Sequence, residues 1–304
     1  MAIAQQYGAK EVVAEVPKGI IKGVTRPRNR ASLAVHQYFR GTSVASYAAF
    51  AGLALMFLLA IFAKLIAPFD PLVPAGTPMT APNAHNLLGT DTVGRDVLSR
   101  VLCGMQTSWF GALAVVASGV IFGGLVGLIA GACGGWVDAL LMRMTDVFLA
   151  LPGPILAVAV VAAIGPSYVH TLFGVAIVWW PLYTRIVRAE VRKLRASPHM
   201  EAARVAGAGR WRLVSRHLLP GAIPVTIVTA SLDIAALVLM LSGLSFLGLG
   251  APLPAPELGA MTAQGITYVF NAWWIPVMPA AGVTLIAIVA NFAGDALRDR
   301  IRDR

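Results

Sequence analysis

Six apolar runs, at residues 44–66, 108–132, 145–164, 170–187, 223–244 and 273–292, set the pattern of this chain. Each is close to the length of about 20 residues with which a helix crosses a hydrocarbon core. They predict an all-α, polytopic membrane protein with six transmembrane helices. The second run carries Gly111, Gly119, Gly123, Gly124, Gly127 and Gly131. Glycines at such spacing let another helix approach closely, so tight packing is the plainer reading and a hinge the alternative. Only Gly165, Pro166 and Ser167 separate the third run from the fourth, so one long kinked segment is the rival to two spans. Trp179, Trp180, Trp273 and Trp274 fall near the predicted span ends, where amphipathic rings settle.

Three polar stretches lie between the runs. Residues 67–107 are rich in Pro, Asp and Gly, residues 245–271 are rich in Gly and Pro, and residues 188–221 are basic and helical in pattern. None is long enough to fold independently. The predicted organisation is a basic tail at 1–43, a six-helix domain at 44–297 containing an inner loop at 197–220, and a second tail at 298–304. Composition agrees: 58% of the residues are hydrophobic and 12% charged, where a soluble domain carries about 25% charged.

A net charge of +10 raises nucleic acid as a partner, and its placement answers otherwise. With both termini in the cytoplasm, every one of the 24 Lys and Arg except Lys64, Arg95 and Arg100 lies on the inner side. That asymmetry is the positive-inside signature, and no nucleic acid is needed to explain it. Lys10, Lys18, Lys22, Arg26, Arg28, Arg30 and Arg40 make the first tail either a solvated arm or a segment held against anionic lipid. The first apolar run starts too deep in the chain to be a signal peptide. Cys103 and Cys133 sit near opposite ends of one run, roughly 45 Å apart along a helix, too far for a disulfide. CxxC, HExxH and GxxxxGK[ST] are all absent, so zinc, protease and phosphate-cradle chemistry have no motif here.

Two polar stretches carry candidate function. In the inner loop, Ser197-Pro198 starts a helix, proline being tolerated in a first turn. Glu201 falls in that turn, where the helix dipole favours an anion. Ala202 and Ala203 are small, so a partner surface can approach, and Gly207 permits a turn into a second short helix that Pro220 ends. The alternative is an amphipathic helix whose Arg204, Arg210, Arg212 and Arg216 face lipid phosphates. On the outer side, His85, Asp91, Gly94, Arg95, Asp96 and Arg100 form a charged run. The preferred reading is a loop braced by the pairs Asp91–Arg95 and Asp96–Arg100 with turns at Gly89 and Gly94; the rival is a metal or catalytic set built on His85, Asp91 and Asp96. Asp233 is the one acid deep in a predicted span. An ionisable group there faces a pathway or bonds to a neighbouring helix, and the two readings stand equal.

The inner loop reads Glu201-Ala202-Ala203, three residues, Gly207, nine residues, then His217-Leu218-Leu219-Pro220. This spacing resembles the EAA loop of bacterial ABC importer permeases, with His217 at a position usually held by Ile. Four further segments narrow the branch: HNLLGTDTVGRDVLSR at 85–100, DALLMRMTDVFLALP at 138–152, SFLGLG at 245–250 and NFAGDALRD at 291–299. Each is similar to a segment of the C-type permease of dipeptide, oligopeptide and nickel importers, in the same order. Departures are Gln106 for a usual Arg, Leu241 for a frequent Glu, and Glu257-Leu258 for a common Ser-Trp.

The resemblance implies the type I ABC importer permease fold in a bacterial inner membrane. It implies that Glu201, Ala202, Ala203, Gly207, Leu219 and Pro220 dock in a cleft of an ATPase subunit and transmit its closure. It implies as partners a homologous B-type permease, two ABC ATPase subunits and an extracytoplasmic solute-binding protein. The chain itself would hold no cofactor and no metal; ATP and Mg would be used by the ATPase partners. Di- or oligopeptide is the expected cargo, with nickel chelate, glutathione or haem as alternatives. A membrane anchor or assembly subunit, needing the spans but not the loop spacing, is the alternative from outside transport.

Overall fold

The computed structural model describes residues 44–302. The basic tail at 1–43 lies outside the described residues. Nine helices, with a short 3-10 turn at Ile266–Tyr268, make up the described fold. They are α1 (Val44–Ile66), α2 (Val97–Cys133), α3 (Gly135–Leu149), α4 (Gly153–Ile164), α5 (Tyr168–Arg195), α6 (Pro198–Val205), α7 (Arg210–Phe246), α8 (Leu258–Gly265) and α9 (Trp274–Arg302). Among the described residues the only extended pairings are two isolated bridges, Pro74 with Arg95 and Thr90 with Asp96.

The glycines of α2 show how the chain is threaded. Gly111 lies against Tyr168, Gly123 against Trp180, Gly127 against Thr184 and Gly131 against Val191. Both numbers rise together, so α2 and α5 run parallel. The chain therefore has to return across the bundle between them, and α3 with α4 makes that return. A β-carbon at Gly123 would overlap the Trp180 carbonyl, and the Thr184 hydroxyl donates to the Gly123 carbonyl at 3.0 Å. One turn of α2, Gly119–Gly123, widens to a π-helix at this contact, as happens where a side chain enters the helical ladder. The glycine stripe is a packing seam, in agreement with the plainer reading.

The third apolar run is not a straight helix. α3 and α4 meet at 82° across Ala150-Leu151-Pro152. Proline disfavours helical backbone in the residue before it and removes a donor from the next turn. α4 has 12 residues, about 18 Å, too short to cross alone. After Gly165 the chain doubles back: Gly174 of α5 lies against Ala157 and Val161 of α4, which excludes a single kinked segment.

Among the described residues four helices are long and apolar enough to span a membrane, five spans if the bent pair counts as one. α5, which runs beside α2, is the remaining long helix and falls outside that count. Its 28 residues extend about 42 Å, but Trp179, Trp180, Pro181, Tyr183 and Arg185 dilute its apolar run. Trp179 and Trp180 stand mid-helix, not at a span end as the sequence predicts.

Other boundaries shift for physical reasons. α2 begins at Val97, eleven residues before the apolar run, because Asp96 caps it: its carboxylate accepts the Ser99 backbone N–H at 2.8 Å. The predicted outer loop at 245–271 contains α8, whose Leu258 is fully buried and whose Gly259 sits on the Ser242 carbonyl. The core runs through α2, α7, α8 and α9 around Ala112, Val115, Leu237, Val238, Leu258 and Ile286. A second, smaller cluster of Leu128, Val187, Val191, Met200, Leu213 and Leu218 closes the basic end of the bundle.

Candidate functional site

The basic end is organised around α6. Ser197 precedes it in extended backbone, Pro198 fills its first position, and the Ser197 hydroxyl donates to the Leu194 carbonyl at 2.6 Å instead of capping. Met200 is buried at 1% exposure and pins α6 to the small cluster. Glu201 and Ala202 face outward, while Ala203 is half-buried. The helix ends in paired bonds, Gly207 N–H to the Arg204 carbonyl and Ala208 N–H to the Ala203 carbonyl, both 3.0 Å. That is a Schellman closure, which needs a left-handed residue after the cap. Gly207 supplies it with φ of 78°.

Beyond Gly207 the chain departs from the sequence expectation. Pro220 does not end a second short helix. α7 runs unbroken from Arg210 to Phe246, and a π-helical turn at Val214–Leu218 precedes Leu219 and Pro220. The wider turn accommodates the donor that proline lacks. The inner loop is thus an elbow of two arms: α6 stays a separate helix, and the second arm is one rod with the long span. Leu219 is exposed and Leu218 buried. His217, the departure from the motif, stands with its ring centroid 5.9 Å from that of His199 on α6. Val205 and Trp211, on either side of Gly207, are 85% and 80% exposed, giving the elbow an apolar tip on a basic surface.

Bonds from α5 hold this end to the bundle. Arg188 makes two bonds to Asp138, one of them Nη2 to Oδ2 at 2.7 Å. Arg195 Nη1 donates to the Gly131 carbonyl at 2.7 Å, serving the last turn of α2.

The opposite end carries the braced loop, with two corrections. Asp96 and Arg100 do not pair. Asp91 takes both cations, Arg95 Nε at 2.6 Å and Arg100 Nε at 3.5 Å. Arg100, at 1% exposure, also donates to the Pro71 and Pro254 carbonyls at 2.8 and 3.2 Å. Asp96 instead receives Asn86 Nδ2 at 3.0 Å and the Ser99 hydroxyl at 2.7 Å. His85 stands outside the cluster, exposed, edge-on to Phe69. His85, Asp91 and Asp96 do not converge as ligands. Gly89 and Gly94 adopt positive φ, as the turn reading requires.

Asp233 of α7 is half-buried and accepts a hydrogen bond from Trp179 Nε1 of α5 at 3.0 Å. Tyr183 faces the same carboxylate without meeting hydrogen-bond geometry. The interhelical bond of the two readings is therefore present. Two residues gain roles that sequence reasoning does not give them. Gln106 donates from Nε2 to the Ala60 carbonyl of α1 at 2.7 Å. Glu257, 3% exposed, accepts the Ser245 hydroxyl and the Ala251 N–H, the latter at 2.6 Å. Burial pushes its carboxyl above the ordinary range, and those two bonds pull it partly back.

Comparison with known proteins agrees with this architecture. Residues 123–304 match the family model of the binding-protein-dependent transport system inner membrane component. The chain is 41% identical to the probable D,D-dipeptide transport system permease protein DdpC of Escherichia coli (strain K12), over 81% of this chain and 83% of that protein. It is 38% identical to the di/tripeptide transport system permease protein DppC of Pseudomonas aeruginosa (strain UCBPP-PA14), over 83% and 87%. It is 35% identical to the glutathione transport system permease protein GsiD of Pectobacterium atrosepticum, over 83% and 85%. A chain of the MetNI methionine ABC transporter, solved in inward-facing conformations, superposes with a TM-score of 0.52 at 19% identity, covering 66% of this chain and 95% of that one. By these matches, and by a fold of apolar helices with a basic elbow, the chain belongs to the inner-membrane component family of binding-protein-dependent transport systems: it is a multi-pass permease, the non-catalytic membrane subunit of a bacterial ABC importer.

Proposed function

We propose that the chain forms half of a pathway for di- or oligopeptides delivered by a solute-binding protein. The other half is a homologous B-type permease. Two ABC ATPase subunits use ATP and Mg and grip the elbow. The observation that carries this reading is the mechanical one. Glu201 and Ala202 are presented outward on a helix anchored by Met200, and Gly207 joins that helix to a rod that passes Leu219, Pro220 and Asp233 without interruption.

The basic end, with its Lys and Arg excess, is assigned to the cytoplasm. ATPase closure moves α6, and α7 tilts with it. Asp233 then moves against Trp179, placing a polar pair where α5 and α7 separate or close along the path. Alternating access by moving groups of helices about a central site is general transporter physics. The brace of Asp91, Gly94, Arg95, Asp96 and Arg100 holds the outer mouth rigid where a binding protein docks, with His85 at its exposed edge.

Glutathione is the second reading of cargo, supported by the name of one relative. Reconstitution with the partner subunits and binding protein decides between them. ATP-dependent uptake of labelled dipeptide, unaffected by excess glutathione, is the expected result. Glutathione uptake without dipeptide uptake would replace the peptide reading. Uptake of neither, with intact ATPase docking, would leave the chain an assembly subunit.

A further inference from the structure

At the basic end a cavity of about 370 Å³ opens between three elements. Gly131 and Gly134 at the end of α2, Asp138 in the first turn of α3, and Arg192 and Arg195 of α5 form its walls, with Arg204 of α6 across the opening. A second cavity of about 420 Å³ adjoins it, sharing Arg195 and Arg204 and adding Arg210 over an apolar floor that includes Met200 and Leu213.

The charges around these spaces do not balance. Four arginines line them, and the one acid among the lining residues is Asp138. Asp138 is already occupied by two bonds from Arg188, and Arg192 approaches it only to 3.9 Å. Arg195 is fixed in place by the Gly131 carbonyl at 2.7 Å, and Arg204 Nη2 reaches the Arg195 carbonyl at 3.3 Å. Backbone bonds thus hold like charges around a common space. Guanidinium forks are suited to bidentate recognition of phosphate oxygens.

The surroundings select among anions. The apolar length of α2 ends beside the cavity at Cys133. From the same place α3 presents Trp136, Leu140, Met144 and Val147, between 52% and 77% exposed. Their spacing of four, four and three puts them along one face of the helix. On a helix that helps cross the membrane such a stripe faces acyl chains, and here it starts beside the arginines, so an anion carrying acyl chains can use both.

We propose that this arginine-lined cavity binds the phosphodiester headgroup of an anionic phospholipid, whose acyl chains lie along the Trp136–Leu140–Met144–Val147 face of α3. Basic pockets between membrane helices are suited to such headgroups. Because Arg204 belongs to α6, an occupied site also ties the elbow to the membrane surface.

The test uses the assembled transporter, stripped of lipid in detergent and titrated with phosphatidylglycerol or phosphatidylcholine under native mass spectrometry. Phosphatidylglycerol binds the wild type in preference to phosphatidylcholine. Neutralising one wall charge with Arg192→Gln weakens that binding about fivefold, the effect of one basic residue at an anionic surface. Arg192→Glu weakens it further, and Arg298→Gln, at an exposed arginine of α9 outside the cavity, leaves it unchanged. Arg192 is well exposed, so neither variant threatens the core. Equal retention of both lipids, or phosphatidylglycerol binding unaltered in both Arg192 variants, overturns the proposal. Displacement of bound phosphatidylglycerol by millimolar inorganic phosphate overturns it in favour of a free-anion site. Loss of the ATPase subunits from the Arg192 variants with lipid binding unchanged overturns it in favour of an acidic protein partner.

Discussion

The two ends of this bundle solve opposite problems. At the loop end, charged groups are turned inward: Asp91, Arg95, Asp96 and Arg100 are all buried and bonded, and Trp274 Nε1 reaches across from α9 to the Thr90 carbonyl at 3.1 Å. At the basic end, the charges of α6 and of the first turns of α7 face outward, and α6 is held by the buried Met200, the turn at Gly207 and the bond from Arg204 to the Arg195 carbonyl. The first arrangement resists deformation, because moving any member strands a buried partner. On the proposed function, the second is the handle that the ATPase moves. A permease driven from one face needs both, a fixed mouth and a movable lever.

The comparison predicts unequal responses to mutation. The largest effect belongs to Arg100→Ala, which strips Asp91 of one cation and leaves two carbonyls without their donor. Breaking a buried pair costs about 3–5 kcal/mol, so the thermal midpoint of the detergent-solubilised complex should fall sharply. An unchanged midpoint would mean the brace carries no load. Met200→Ala should cost about 2–5 kcal/mol, but locally. Hydrogen exchange should rise in α6 while the brace stays protected, and stimulated ATP hydrolysis should uncouple from transport.

Glu257 gives a smaller effect with a definite sign. Its carboxyl is raised in the fold above its ordinary value of 4.5, so the folded state holds the proton more tightly than the unfolded chain. Its contribution to stability is fullest below that value and is lost as pH rises through the folded value. Glu257→Gln should remove this part of the pH dependence of the thermal midpoint. The smallest effect is expected for Arg185→Ala. Its pair with Asp146 is half-exposed on both sides, and such pairs are worth under about 1 kcal/mol; a midpoint shift of several degrees would contradict that.

Particular residues explain what the sequence makes legible. The elbow is readable because its chemistry is local: a proline at the first helical position, an acid in the first turn, small residues, then a glycine at a fixed distance. The start of α2 is hidden, since Ser99, Arg100 and Gln106 look like loop residues on any membrane scale. They are helical because the brace and α1 satisfy them within the protein. Pro152 and Pro154 announce the bend between α3 and α4, but hydropathy averages over a kink. α8 is eight residues among prolines and glycines, and it depends on contacts with α7 and α9 that lie far off in sequence. Asp233 is visible as an anomaly; its partner Trp179, 54 positions away, is not.

The central claim is that ATPase closure enters through α6 and travels into α7. Glu201→Lys reverses the outward charge of α6. Gly207→Pro removes the N–H that closes the helix and forbids the φ of 78°. The most direct measurement is co-purification of the ATPase subunits with each variant, together with ATP hydrolysis stimulated by the loaded binding protein. The account predicts that Glu201→Lys loses docking and that Gly207→Pro loses docking or stimulation, with both permeases still assembled in the membrane. Wild-type docking and wild-type stimulation in both variants would contradict it.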